Sequence, residues 1–329
     1  MCIRDSMRHR PINILADALL RLGADVAYEE NEGFPPLRIK GRQLQGGSLE
    51  VQGNVSSQFI SALLMIAPGM EKGLTLHLTG DIISRPYIDL TLCTMRNFGA
   101  DAEWTDNDTI EVKPQPYTPQ DYYIESDWSA ASYWYEILAL SKDNEAEIKL
   151  NGLMDGSLQG DSVVKYLFSM LGIKTSFSSR TRNVPTTVTL RKTGLVSARL
   201  DYNFINQPDL AQTFVVTCAL MGVPFHFTGL ATLHIKETDR IVALKTEMRK
   251  LGYVISDGDG TELIWDGERC EPEENPVIET YEDHRMALAF APAASQIPGL
   301  GINNPQVVTK SYPHFWKDQA DAGFLISEE

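Results

Sequence analysis

Lys236-Glu237-Thr238-Asp239-Arg240 stands between an alternating stretch, Val223-Pro224-Phe225-His226-Phe227-Thr228-Gly229, and a run in which Ile241, Leu244, Met248 and Leu251 recur before Gly252. The alternation reads as a short strand, the recurrence as an amphipathic helix, and Gly252 as its C-cap. Two cations and two carboxylates are therefore crowded at a strand-to-helix junction. Free N–H groups and the positive end of the helix dipole favour an anion there. A plainer reading is a solvated charge run with a Glu237–Arg240 pair at helical spacing, worth about 0.2–0.5 kcal/mol. The recurrence of the same junction along the chain decides against it.

Composition narrows the partners. The 329 residues are 43% hydrophobic, enough for large cores and for two domains. Net charge is −15, with 44 acidic against 29 basic side chains, which excludes a basic surface for nucleic acid or an anionic membrane. Such a chain binds a small anion only where it concentrates its cations. Cys2, Cys93, Cys218 and Cys270 lie far apart without a CxxC, which points to a reducing cytoplasm and to no metal or disulfide framework. No apolar run is long enough to span a bilayer.

Taken in order, Met1–Ser6 reads as a foreign leader, and a helix follows Pro11 with Ile12, Leu15, Leu19 and Leu22 on its apolar face. Strand-like stretches at Asp25–Tyr28 and Leu37–Lys40 come next. Helix Phe59–Ile66, a strand ending at Gly80, a helix opening at Pro86 and a hairpin turning at Asp106–Asp108 complete the next unit. The proline-spaced stretch Lys113–Pro119 reads as a linker, which sets lobes at 7–122 and 123–329. The pattern restarts at Asp127, at Asn206 and at Asp283, with strands ending at Gly152 and Gly229 and a last helix entered from Lys310-Ser311. Gly80, Gly152 and Gly229 give a repeat of roughly 75 residues, right for a βαβαββ block with two helices. The fold class is therefore α/β (α+β), with helices inside and sheets outside. The first block begins at its second helix, so the first lobe is expected to be incomplete.

Overlaying the blocks puts the unusual polar residues at two places. The first helix of each block opens with Ser56-Ser57-Gln58, Asp127-Trp128-Ser129, Asp209 or Asp283-His284-Arg285. The second opens with Ser84-Arg85-Pro86-Tyr87, Gln159-Gly160-Asp161, Lys236–Arg240 or Lys310-Ser311. Asp127 and Asp161 read as plain N-caps. Arg285 and Lys310 differ, because a cation in a first turn opposes the dipole and needs an anion to account for it.

These motifs, in this order, resemble those of 5-enolpyruvylshikimate-3-phosphate (EPSP) synthase, the 3-phosphoshikimate 1-carboxyvinyltransferases of aromatic amino-acid synthesis. The resemblance runs from about Met7 to the C-terminus. It implies the two-lobed enolpyruvyl transferase fold, three βαβαββ units to a lobe, closing on substrates held in the cleft. It also implies addition of the 5-hydroxyl of shikimate 3-phosphate to C2 of phosphoenolpyruvate, then loss of phosphate. Shikimate 3-phosphate would be bound by Ser56, Ser57, Gln58, Ser84, Tyr87, Asp209, Thr232 and Lys236. Phosphoenolpyruvate would be bound by Gln58, Arg240, Arg285, Lys310 and His284, since guanidinium forks match oxyanions. Asp209 would take the hydroxyl proton and Glu237 would exchange one at the methylene, with Lys236 biasing both. Neither metal nor cofactor is expected, and the enzyme would be a cytoplasmic monomer.

Some of the family pattern is absent. Its N-terminal lysine, serine and arginine and its Asn-Ala-Gly-Thr loop are missing, an arginine before the Met-x-x-Arg-Pro run falls at Ser6, and Thr232 stands for an asparagine. On this reading the chain is a fragment, silent alone. The alternatives are the sister enzyme acting on a UDP-amino sugar (UDP-N-acetylglucosamine) and a non-catalytic anion-binding fragment. Tyr87 reads otherwise as a surface aromatic and His284 as a capping or orienting group. His77 and His226 read as core or surface residues, and Trp128, Trp134 and Trp316 as packing.

Overall fold

The computed structural model describes residue 8 and residues 10–54, 56–179, 181 and 184–327. The leader expected at residues 1–6 lies outside them. The chain divides into two compact units, Met1–Tyr123 with Leu158–Gly160, and Ile124–Ser157 with Asp161–Glu329.

In the first unit, α1 (Asn13–Arg21) leads to the antiparallel pair β1 (Asp25–Tyr28) and β2 (Leu37–Lys40). A whole βαβαββ block follows: β3 (Gly47–Gln52), α2 (Ser57–Ile66), β4 (Leu74–Thr79), α3 (Arg85–Asn97), β5 (Ala102–Trp104) and β6 (Thr109–Val112). The sheet order is β3-β4-β6-β5, with β3 parallel to β4 and the other pairs antiparallel. Alternation sends Leu49, Val51, Leu74, Leu76, Leu78, Ile110 and Val112 to the buried face. Ile60, Leu63 and Leu64 of α2 join the same core as Ile88, Leu92 and Met95 of α3. The stretch Lys113–Pro119, read as a linker, is docked along its length. Gln115 N–H donates to Pro68 O at 3.0 Å, Thr118 N–H to Phe98 O at 2.7 Å, and Tyr117 Oη to Met65 O at 2.9 Å, so it is strapped to this unit. Proline spacing marks an extended backbone, and an extended backbone with free N–H groups can dock as readily as it can span.

The second unit repeats the scheme. Its first block holds α4 (Trp128–Leu140), β7 (Glu147–Met154), α5 (Val164–Met170), β8 (Leu171–Phe177) and β9 (Pro185–Val196), in a sheet ordered β7-β9-β8. Gly152 does not end its strand as expected; it bulges it, and β7 runs on to Met154. Next come β10 (Leu200–Asn203), α6 (Ala211–Met221), β11 (Phe225–Thr228), α7 (Arg240–Lys250) and β12 (Leu263–Trp265). Here β10 is parallel to β11, and β12 antiparallel to it. The last block has β13 (Val277–Ile278), α8 (His284–Phe290), β14 (Gly301–Ile302) and α9 (Phe315–Asp321), with β13 parallel to β14. Lys310 closes a 3₁₀ turn over Pro305–Lys310 instead of opening a helix, because Pro313 and the Tyr312–Phe315 turn delay α9 to Phe315.

Helices α4, α6 and α8 form the interior. Every residue of α6 from Ala211 to Ala219 is buried, and α4 and α8 both pack on it. A helix apolar all round belongs in a core. By contrast, β7 buries alternate residues at most, as an outer sheet does. The three tryptophans read as packing residues are all packed, each with its indole N–H donated: Trp128 to Glu125, Trp134 to Tyr312 Oη and Trp316 to Pro305 O.

One charge-capable group sits wholly inside this helical core. Glu136 of α4 is fully buried, and burial pushes its carboxyl well above the usual carboxylate range, outweighing the nearby Thr217 hydroxyl. The folded chain therefore keeps a proton that the unfolded chain releases above about pH 4.5, and stability falls with rising pH from there by about 1.4 kcal/mol per unit. Glu136→Gln is expected to stabilise the protein at neutral pH, and in urea melts its stability relative to the wild type should rise with pH from about 4.5 upward as that contribution is removed. An unchanged slope would acquit Glu136.

Candidate active site

In the first unit the parallel pair β3–β4 puts two helix starts on one sheet edge. Gly53 N–H after β3 donates to Thr79 O at 2.8 Å, and Ile83 N–H returns to Gly53 O at 3.2 Å. The loops carrying Ser56 and Ser84 therefore run side by side. Ser56 caps α2 by accepting Gln58 N–H at 3.3 Å, Ser57 opens the helix, and the Gln58 side chain is exposed. Ser84 is buried with a left-handed φ of 52°, and Tyr87 follows Pro86 in the first turn of α3. Arg85 is committed to Asn107 O at 2.8 Å and to the Trp104 ring, 3.9 Å from its centre. This edge presents hydroxyls and an amide.

The second unit uses β10–β11 in the same way. Gly229, at φ 74°, permits the close approach, since a Cβ there would lie 2.2 Å from Asn203 Oδ1 and 2.6 Å from Ile205 N. A 3₁₀ turn over Ala231–Ile235, which the sequence reading missed, then delivers Lys236 and Glu237. Thr232 lies in that turn with Oγ1 buried and without a hydrogen-bond partner. Asp239 caps α7, accepting Val242 N–H at 3.1 Å, and Arg240 is the first helical residue.

Arg240 is 1% exposed, yet carries a charge held by three carboxylates. Its Nε donates to Asp283 Oδ2 at 2.6 Å and its Nη2 to Asp283 Oδ1 at 3.2 Å. Nη1 donates to Asp209 at 2.8 Å and Nη2 also to Glu237 at 3.0 Å. Burial acts to lower its pKa, but Asp283 and Asp209 outweigh it and raise it.

Around this arginine stand the other cations. Arg285 Nη2 donates to Asp209 Oδ2 at 3.0 Å, and Lys236 Nζ lies 3.3 Å from Asp209 Oδ1. Lys310 Nζ donates to Glu237 Oε1. The anion that a cation in the first turn of α8 requires is thus Asp209, inside the chain. Burial alone would raise the Asp209 carboxyl, yet Arg285, Lys236 and Arg240 together hold it well below the carboxylate range. His284 is pushed down to about 4, by burial first and by the Arg285 charge next, against Asp283 and Glu237. At neutral pH it is therefore an uncharged imidazole.

Asp209, Lys236, Glu237, Arg240, His284, Arg285 and Lys310 so form one cluster in the second unit. Ser56, Ser57, Gln58, Ser84 and Tyr87 belong to the first. Sequence reasoning gave Asp283 no role, although it is fully buried, caps α8 through Arg285 N–H at 2.9 Å and makes two of the four bonds to Arg240. Its only local signal, a carboxylate at a helix start, says cap and nothing about an arginine 43 residues away. Among the described residues no group of three or more His, Cys, Asp or Glu could hold a metal ion.

The family profile described as EPSP synthase (3-phosphoshikimate 1-carboxyvinyltransferase) matches residues 4–318. The chain is 57% identical over 322 residues to a 3-phosphoshikimate 1-carboxyvinyltransferase of Bacteroides fragilis, covering 98% of this chain and 77% of that protein. It is 34% identical over 319 residues to a protein of the same name from Haemophilus ducreyi, covering 95% and 69%. A solved EPSP synthase from Acinetobacter baumannii superposes with a TM-score of 0.72 at 22% identity, covering 98% of this chain and 73% of that one, a likeness of fold.

Two measurements check the electrostatics. Asp283→Ala leaves Arg240 short of its main partner and is expected to cost about 3–5 kcal/mol in urea melts, the range for breaking a buried ion pair; a cost under about 1 kcal/mol, typical of exposed pairs, would contradict the arrangement. For His284, the unfolded chain takes its proton near pH 6.5 and the folded chain only near 4, so stability drains as pH falls through that window. An NMR titration of the His284 ring should turn over near pH 4, and a midpoint above 6 would refute the burial argument.

Proposed function

The chain belongs to the EPSP synthase family, and from that membership we propose how its residues divide the work. The reaction transfers the enolpyruvyl group of phosphoenolpyruvate to the 5-hydroxyl of shikimate 3-phosphate and releases phosphate, in the shikimate pathway to chorismate and the aromatic amino acids. We assign the shikimate 3-phosphate contacts to the hydroxyls and amide of Ser56, Ser57, Gln58, Ser84 and Tyr87, joined by Thr232, Lys236 and Asp209. Arg285 and Lys310, with Gln58, take the carboxylate and phosphate of phosphoenolpyruvate, and Arg240 adds its charge from the buried side. His284 serves as a neutral hydrogen-bonding group. Localisation in the cytoplasm as a monomer accompanies this reading; among the described residues no helix is long and apolar enough to cross a membrane.

The observation that carries the assignment is that both carboxylates share Arg240 and each also holds more exposed cations of its own. Asp209 bridges Arg240, Arg285 and Lys236, and Glu237 bridges Arg240 and Lys310. An anion arriving on Arg285, Lys236 or Lys310 competes with Asp209 and Glu237 for them. Each carboxylate it displaces recovers basicity, which is what removing the hydroxyl proton and exchanging one at the methylene require. Asp209 acts on the hydroxyl, Glu237 at the methylene.

Phosphate release from the two substrates tests this, with the chain alone and with it preceded by the N-terminal part of a 57% identical relative. Asp209→Asn and Glu237→Gln should each lower turnover by about 10²–10⁴-fold, the usual worth of a general acid or base. Shikimate 3-phosphate should still give a calorimetric binding signal with Glu237→Gln, and UDP-N-acetylglucosamine none with any form. Full turnover by Asp209→Asn would end its role as the base.

A further inference from the structure

The turn that delivers Asp283, His284 and Arg285 is strained. Tyr281 and Glu282 stand at φ 53° and 56°, consecutive left-handed residues, and Asp283 N–H closes the turn on Thr280 O at 2.8 Å. Two positive φ values in succession suit glycine or asparagine, and neither is present. An L-residue avoids this region unless its surroundings impose it. Here two struts impose it. From α7, the fully buried Glu247 accepts Tyr281 Oη–H at 2.6 Å on one carboxylate oxygen and Glu279 N–H at 3.0 Å on the other. From the loop before Lys310, Asn304 Nδ2 donates to Glu282 at 2.6 Å and Asn303 Nδ2 to Glu279 at 2.6 Å. Burial, then the Glu247 carboxylate, push the Tyr281 phenol up, so it remains the donor throughout the working range.

We propose that Glu247 is a positioning residue: through Tyr281 it holds the Thr280–Asp283 turn in its left-handed form, and that form aims Asp283 at Arg240 and Arg285 at Asp209. Glu247 and Arg240 lie on the same helix, so α7 carries both the arginine and the strut that brings its carboxylate partner to it. Asn304, at the start of the turn that ends in Lys310, ties the third cation's segment to the same point. The released turn would settle into right-handed backbone and swing Asp283 off the guanidinium.

The test is a rescue. Tyr281 is 38% exposed and Tyr281→Phe removes one hydroxyl, so the variant folds. It should speed hydrogen exchange at Arg240 Nε–H, read by NMR, by at least about tenfold, the worth of one hydrogen bond of about 1.4 kcal/mol. Adding Glu282→Gly, which gives up the Asn304 bond as well but makes left-handed backbone natural at 282, so that the turn leans less on either strut, should restore protection in the double variant. Asn304→Gly, which keeps its own left-handed backbone and drops the amide, should shift exchange in the same direction as Tyr281→Phe. Calorimetry with phosphoenolpyruvate at saturating shikimate 3-phosphate should follow the same order, weakening and then recovering; this arm rests on the proposed roles of Arg285 and Lys310. Wild-type Arg240 protection in Tyr281→Phe, or a double variant that gains thermal stability without regaining protection, would overturn the proposal. Wild-type protein that ignores phosphoenolpyruvate while the exchange pattern holds would instead overturn the binding roles and leave the positioning intact.

Discussion

A guanidinium buried to the last few per cent of its surface is tolerable only if its nitrogens are met by acceptors, and each nitrogen of Arg240 reaches a carboxylate, from three separate segments. Asp209 arrives after β10, Glu237 after β11 and Asp283 after β13. Because the fork is planar and rigid, its bonds fix the directions as well as the distances of the three chains. One desolvated charge thereby sets the register between two successive blocks of the second unit. The remaining cations are less enclosed: Arg285, Lys236 and Lys310 keep 15%, 29% and 37% of their side-chain surface. The acidic surplus of the chain makes this arrangement necessary. Only a nucleus of cations held against their own carboxylates can present positive charge on such a molecule without scattering it.

Much of this was legible from local signals. The strand-to-helix junctions, the glycines that let loops approach and the recurrence of the block all have sequence periods or residue preferences behind them, and the placing of helices inside and sheets outside followed. Readings that failed were those where tertiary packing overrides a local signal. Gly152 looked like a strand end, but a glycine serves a bulge as well as a turn, and the pairing of β7 with β9 decides which. Lys310 looked like a helix start because the helix that follows it has no visible beginning; Pro313 moves it to Phe315. The Lys113–Pro119 stretch, read as a linker, is a different case: its docking had no local sign because its partners, Pro68, Met65 and Phe98, lie far back in the chain. Within the site the sequence offered the charged residues but not their pairing. No period links Asp283 to Arg240, and nothing in Tyr281-Glu282 announces left-handed backbone, since both residues normally shun it.

The low pKa of Asp209 bears on what the proposed base can do. A carboxylate among three cations is stable as an anion and therefore a weak acceptor of protons, poorly matched to removing one from a hydroxyl near neutral pH. Its weakness comes from those neighbours, since burial by itself works the other way. Any ligand that draws the cations to itself must therefore strengthen Asp209, and its partial burial acts in the same direction. On the proposed roles, the base becomes competent as the second anion is loaded and stays inert before it. Arg240 cannot take part in that exchange, being the most enclosed of the four cations and tied to Asp283 by two bonds. The cluster thus divides into a fixed member, which holds the carboxylates in place, and three more exposed members, whose commitment to those carboxylates an incoming anion can change.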